Sequence, residues 1–325
     1  MRLAVLIGLV GWLVVLAVKG TFSSGSQTGS RSAAVAMRPP ARLKATPSSM
    51  RLPQPLHGAT AASSSSGLLV IGGADRNDIS TNQVLRLDPG ASRGKSAGTL
   101  GAPLHDAAAA SLGSRTLVFG GGASSTLDTV QELVSGGTAR QVGHLPIAAS
   151  DVSAVSDGAA AYVLGGYDGA RPLAAVLRTT DGRSLTTVGN LPTAVRYTAA
   201  AALGGRIYAF GGELSTGADT DLIQEYDTAT RHASVIGHLP ETVSHASALV
   251  LNGSIYLVGG RRNGGASDRI LRFDPAQHLV RRAGRLPAPV FDAASGTLGG
   301  VGYLAGGIGA AGTSVDSVIT LSESP

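Results

Sequence analysis

Residues 207–212 read IYAFGG and residues 255–260 read IYLVGG, a short apolar run closed by two glycines. The same ending recurs at Gly72-Gly73, Gly120-Gly121, Gly165-Gly166, Gly211-Gly212, Gly259-Gly260 and Gly306-Gly307, at intervals of 48, 45, 46, 48 and 47 residues. A fixed period of about 40–50 residues with strand-like content is the mark of a β-propeller. Each period divides further. The run before the glycines is short and bounded, as a buried strand is. About ten residues on, a second run opens at Val84, Val130, Val176, Ile223, Ile270 or Val318. A third ends in Leu-Pro, as at Leu145-Pro146, Leu191-Pro192, Leu239-Pro240 and Leu286-Pro287. Small residues such as Ala199-Ala202 then lead to the next Gly-Gly run. The expected fold is all-β, a six-bladed propeller of four-stranded blades. The sixth repeat holds only three strands before the chain stops, while Met50-Leu52-Pro53 resembles the end of a fourth strand. Residues 42–51 are therefore expected to complete the last blade.

The pattern resembles the kelch repeat over residues 42–322, in its Gly-Gly doublets and in the aromatics Tyr208 and Tyr256 that precede two of them. It is similar in this to the central domain of galactose oxidase. It departs at the fourth strand, where kelch blades usually carry Trp; the only Trp here is Trp12. The resemblance implies an interaction platform. It also admits two enzyme classes, copper oxidases and sialic-acid mutarotases. With no Cys in the chain, the Cys-Tyr cofactor of the copper class cannot form, and no cofactor is expected.

The 325 residues carry a net charge of +5, but the excess is local. Residues 1–51 hold seven basic groups and no acid, which leaves the rest with 19 basic and 21 acidic residues, a net of −2. The repeat region has no basic stripe, so nucleic acid is not an expected partner. Residues 3–18 are uniformly apolar between Arg2 and Lys19. At 1.5 Å per residue they would span roughly 24 Å, and snorkelling flanks would extend this toward a bilayer core. Residues 1–19 read as a transmembrane signal anchor or a signal peptide, 20–41 as a Ser/Gly/Pro linker, and 42–325 as the propeller. Both readings of residues 1–19 put the propeller outside the cytoplasm, as a single-pass protein of the cell membrane or secreted.

Candidate ligand residues follow from what varies in a repeated frame. In four-stranded blades the loop from strand 4 to the next strand 1 and the loop from strand 2 to strand 3 share a face. Counting from the Leu of Leu-Pro, positions six and seven read His57-Gly58, His105-Asp106, Ser150-Asp151, Arg196-Tyr197, Ser244-His245 and Phe291-Asp292. They are mostly polar, while the strand after them is bland. From these we select His57, His105, Asp106, Asp151, Arg196, Tyr197, His245 and Asp292. The loops after Gly-Gly add Arg76, Tyr167, Asp168, Glu213 and Arg261. Arg and Tyr beside carboxylates suit a sugar or a peptide. A recurrent acid or amide ahead of strand 3 (Asn82, Asp128, Asp221, Asp268, Asp316) reads as a turn cap rather than a calcium ligand. The seven His are scattered, and no metal is assigned. The leading expectation is a protein- or glycan-binding module. The alternative is a sugar-modifying enzyme of the mutarotase or epimerase type, using Asp106, Asp151, Asp292, His105 and His245 for proton transfer and Arg196 for a substrate carboxylate.

Overall fold

The computed structural model describes residues 42–64 and 67–324; the expected N-terminal helix and linker lie outside them. The six periods fold into six four-stranded antiparallel sheets. Blade 1 is Thr60–Ser64, Gly67–Ile71, Thr81–Leu87 and Lys95–Leu104, and blades 2 to 5 repeat this order. Blade 6 takes Ala294–Leu298, Val301–Ala305 and Ser317–Ser324 from the C-terminal end and Arg42–Arg51 from the beginning of the described chain. Arg42 pairs with Ser324 and Pro47 with Ile319 in one antiparallel ladder. The first strands touch in sequence around the axis, and that of blade 6 meets that of blade 1.

The buried hydrophobic residues group into six clusters, one for each interface between neighbouring blades. This explains why the third strand does not alternate simply. Val84 and Leu85 are both buried, because each blade packs against a neighbour on either face. A bulge at this point helps. Pairing shifts between Val84 and Leu85, Val130 and Gln131, Val176 and Leu177, Ile223 and Gln224, and Ile270 and Leu271. The partners across the bulge are Gly98, Gly143, Gly189, Gly237 and Gly284, each two residues before the Leu that ends strand 4. A Cβ on Gly143 would lie 2.4 Å from the Gly182 carbonyl of the next blade. These glycines form a second repeated series, legible in the sequence as a fixed offset from Leu-Pro. Without a strand-4 Trp, buried aromatics gather instead in blades 4 and 5, where Tyr208, Phe210 and Phe273 pack edge to face.

The Gly-Gly pairs join the blades. The second glycine N–H donates to the carbonyl of the fifth loop residue of the next blade: Gly73 to Leu104, Gly121 to Ala149, Gly166 to Val195, Gly212 to Val243, Gly260 to Val290 and Gly307 to Leu56. Both glycines have positive φ in all six pairs. A Cβ on the first would lie 2.1–2.7 Å from that same carbonyl oxygen.

Two outcomes are expected. Deleting residues 42–51 removes the buried Leu43 and Met50; at about 1.5–3 kcal/mol each, melting falls by roughly 10 °C or more. Gly120→Ala, with its Cβ 2.2 Å from the Ala149 oxygen, costs roughly 3 kcal/mol of denaturant stability. Gly136→Ala, left-handed but with open space around it, costs only about 1 kcal/mol.

Candidate functional site

One position in each blade reaches the axis on the face of the 4–1 and 2–3 loops. It is position seven of the loop after strand 4: Gly58, Asp106, Asp151, Tyr197, His245 and Asp292. All six are left-handed, with φ between 52° and 57°. Their backbones form a closed ring. Each N–H donates to the carbonyl of its counterpart one blade back, from Asp106 to Gly58 at 2.8 Å around to Gly58 to Asp292 at 3.2 Å. Gly, Asp and Asn accept this conformation most readily; Tyr and His do so at some cost. Left-handed Tyr197 and His245 are thus local strain at a site. Position six anchors the ring outward. In every blade its backbone pairs with the residue after Gly-Gly, as His57 with Ala74, Arg196 with Glu213 and Phe291 with Ile308. The backbone of both loops is therefore largely satisfied within the frame, and the side chains of position seven are free to differ.

Those side chains line a cavity of about 200 Å³ at the channel mouth, floored by the small residues of the first strands. The His245 ring stacks on Tyr197 at 3.7 Å between centroids and meets Phe291 edge-on. Tyr197 O–H points to Asp106 Oδ2 at 3.4 Å. His245 Nε2 lies 3.9 Å from Asp292 Oδ1, and His105 Nε2 lies 3.8 Å from Asp106 Oδ2. His57 sits farther out, between Ser314 Oγ at 2.9 Å and Asp78 at 3.4 Å.

Beside the cavity runs a network of arginines and acids. Arg196 Nε donates to Glu213 Oε1 at 2.9 Å, and its Nη1 lies 3.5 Å from Asp151. Arg261 Nη2 donates to Glu213 Oε2 at 2.6 Å and to Asp219 at 3.0 Å. The Arg196 guanidinium also covers the Tyr167 ring at 4.8 Å. The structure thus brings together Asp106, Asp151, Arg196, Tyr197, His245, Asp292, Tyr167, Glu213 and Arg261, with His105 and His57 at the rim. It does not bring in Arg76, on an exposed loop tip, or Asp168, whose carboxylate caps its own loop at Ala170 and Arg171. Asp219 joins without having been selected. Its signal was faint, since the same bridged loop position holds Ser80, Thr126, Pro172 or Ser314 in other blades and no second acid.

The acids ahead of strand 3 have a cross-strand role that turn capping does not describe. Asp128 pairs with His144, Asp221 with His238, Asp268 with Arg285, and Asp316 with Arg51. Each basic partner is the residue just before the Leu that ends strand 4. Among the described residues, no three His, Asp or Glu side chains converge as metal ligands.

Burial sets the protonation of the cavity. It pushes the Asp106 carboxyl up to about 7, and the charge of Asp151 adds to the effect. Burial, and then the charge of Asp106, holds Asp292 well above the usual carboxylate range. Asp151 is raised by burial against a hydrogen bond from Ser150 and the charge of Arg196. His245 is pulled down to about 3 by burial and the charges of Arg261 and Arg196, so it is a neutral imidazole at pH 7. Burial and the neighbouring Asp106 and Asp151 keep Tyr197 a protonated donor. Burial opposes ionisation of Glu213, but its hydrogen bonds from Arg196 and Arg261 prevail and lower its pKa.

A carboxyl raised from 3.8 to about 7 makes the folded state hold more protons than the unfolded chain in that window, so its contribution to stability falls as pH rises through it. The depressed His245 acts in the opposite sense between about 3 and 6.5. Comparing Asp106→Asn with the parent isolates the carboxyl, and Asn tolerates the left-handed backbone. The variant is expected to melt roughly 2–5 °C higher at pH 8, with the gain shrinking toward zero by pH 4, by calorimetry across that range.

Residues 243–287, which span blade 5, match the family model described as Kelch motif. No curated protein matches the chain. Among solved structures, the one titled "Structure of YjhT" is similar with a TM-score of 0.73 at 16% identity, over 86% of this chain and 100% of that one. At that identity the likeness is one of fold. In fold the chain is a six-bladed kelch-type β-propeller, with the motif itself matched in its fifth blade.

Proposed function

We propose that the chain is a ligand-binding module, held outside the cytoplasm by its N-terminal segment, that takes a protein or glycan ligand at the cavity on the 4–1 and 2–3 loop face. The observation that carries this reading is the ring of position-seven residues. Its backbone hydrogen bonds close on themselves, so the residues at six positions on a rigid support can vary without disturbing the frame. The cavity holds carboxyls far from their usual pKa beside a neutral His, and such perturbation clusters at functional sites. Its chemistry indicates what would bind. Both arginines are taken by Glu213, Asp151 and Asp219. The ionisable groups lining the space are Asp106, Asp151, Asp292, Tyr197 and His245, and of these only Asp151 is paired with an arginine. Hydroxyl or amino groups of a sugar or a side chain meet acceptors there, with aromatic faces alongside. A mutarotase-like role needs an arginine free for the substrate carboxylate, and Arg196 is occupied.

Arg196→Ala is a poor probe, because it removes the arginine beside buried Asp151 and one of the two arginines on Glu213, at roughly 3 kcal/mol. Tyr197→Phe and Asp106→Asn change the cavity and spare the frame. Residues 42–325, as bait against intact membranes and on a glycan array, are expected to capture a ligand. Each variant should lower affinity at least about five-fold, the loss of a buried hydrogen bond, with melting within a few degrees of the parent. Equal capture by the parent and both variants would place the ligand elsewhere.

A further inference from the structure

A second cavity lies away from the axis, on the flank of blade 5, and nothing in the reading above uses it. It is built by the hairpin after Gly259-Gly260. Arg261 and Arg262 pair with Ala266 and Gly265 across Asn263-Gly264, both left-handed, as a two-residue turn requires. Consecutive strand residues point to opposite sides. Arg261 turns to Glu213 and Asp219 at the channel mouth, and Arg262 therefore turns outward into the flank.

Arg262 is buried there, with 7% of its side chain exposed. It lines a cavity of about 250 Å³ together with Arg269, Arg285, Glu241, Asp268 and Pro289. Its Nε and Nη1 have no hydrogen-bond partner among the described residues. The nearest acid is Glu241, 3.9 Å from Nη1, and Glu241 is already engaged by Arg269. Asp268 is engaged by Arg285. Three guanidinium groups thus meet two carboxylates, and the unmatched charge is the most buried one. A buried guanidinium without hydrogen bonds costs several kcal/mol, and its planar fork matches an oxyanion with two parallel bonds. Burial also pulls the Arg262 pKa below its ordinary value, with Glu241 opposing and Arg269 adding to the fall, as expected of a cation short of counter-charge.

We propose that this flank cavity binds a small oxyanion, a phosphate, sulfate or carboxylate group, on Arg262, with Arg269 and Arg285 at its rim. The site is independent of the axial cavity. Glu241, 3.9 Å from Arg262 Nη1, is its internal competitor.

The test titrates the full chain with inorganic phosphate, sulfate and acetate against chloride at matched ionic strength, read by calorimetry and by phosphate ³¹P line width. Saturable binding of at least one anion is expected, and which one separates a carboxylate source from a phosphate or sulfate source. Arg262→Met keeps the apolar stem and should weaken binding at least ten-fold. Glu241→Gln removes the competitor and should tighten it several-fold. The proposal is overturned if none of the three anions binds saturably, if Arg262→Met binds as the parent does, or if Glu241→Gln leaves affinity unchanged or lower. Should Arg262→Met not fold, the Glu241→Gln result decides alone.

Discussion

Everything in this protein depends on one backbone hydrogen bond made six times. The second glycine of each Gly-Gly pair donates to a carbonyl of the next blade. The first lets that carbonyl approach to where a Cβ would stand. A blade is a twisted sheet with two apolar faces and cannot bury either alone. The glycine contact sets how closely neighbours pack, and so the depth of the six hydrophobic clusters between them. It also closes the circle, since Gly307 donates to Leu56 across the junction where the two ends of the described chain meet. Closure removes the free sheet edges that an open array would expose.

The axial ring depends on that closure in turn. Its six hydrogen bonds form only when six blades stand at equal angles around one axis, because each N–H must meet the carbonyl of its own counterpart. The ring draws five side chains, all but that of Gly58, into one small volume and takes water from three carboxyls and an imidazole. This is unfavourable for the fold. Burial raises all three carboxyls, Asp151 adds to the rise at Asp106, and both add to it at Asp292; the frame carries the cost because its own hydrogen bonds are made elsewhere. Arg196 and Arg261 offset part of it by neutralising Glu213, Asp151 and Asp219.

Several elements were legible because their cause is local. A glycine pair is required wherever a carbonyl comes that close, so the blade count could be read directly. The strand from residues 42–51 could be read because a missing fourth strand must come from somewhere. Positions six and seven stood out as the polar exceptions in a bland repeat; position seven lines the cavity, while position six pairs outward with the residue after Gly-Gly. Other features resisted. Arg76 and Asp168 looked like Tyr167 and Glu213 by loop position, yet Arg76 lies at an exposed tip and Asp168 caps its own loop, since distance from the axis depends on how each loop folds back. The acids ahead of strand 3 looked like turn caps because their basic partners lie across a strand pair, 16 or 17 residues away in three blades and at the far end of the described chain for Asp316. Asp219 and the unmatched Arg262 gave no signal, because what distinguishes them is which charges fold against them.

The sequence by itself determined the number of blades, the four-strand order, the way the ends meet and the face on which the variable residues gather. Each follows from periodicity and from the narrow conformational needs of glycine and proline. Only the tertiary structure decided which charges are free. Arg196 and Arg261, the obvious candidates for an anionic ligand, are neutralised at the axis, while Arg262, one residue along the same strand, faces outward with its Nε and Nη1 not hydrogen-bonded among the described residues. Adjacent residues on a strand look alike in a sequence, but they point to opposite sides, and the neighbours that meet them come from other blades.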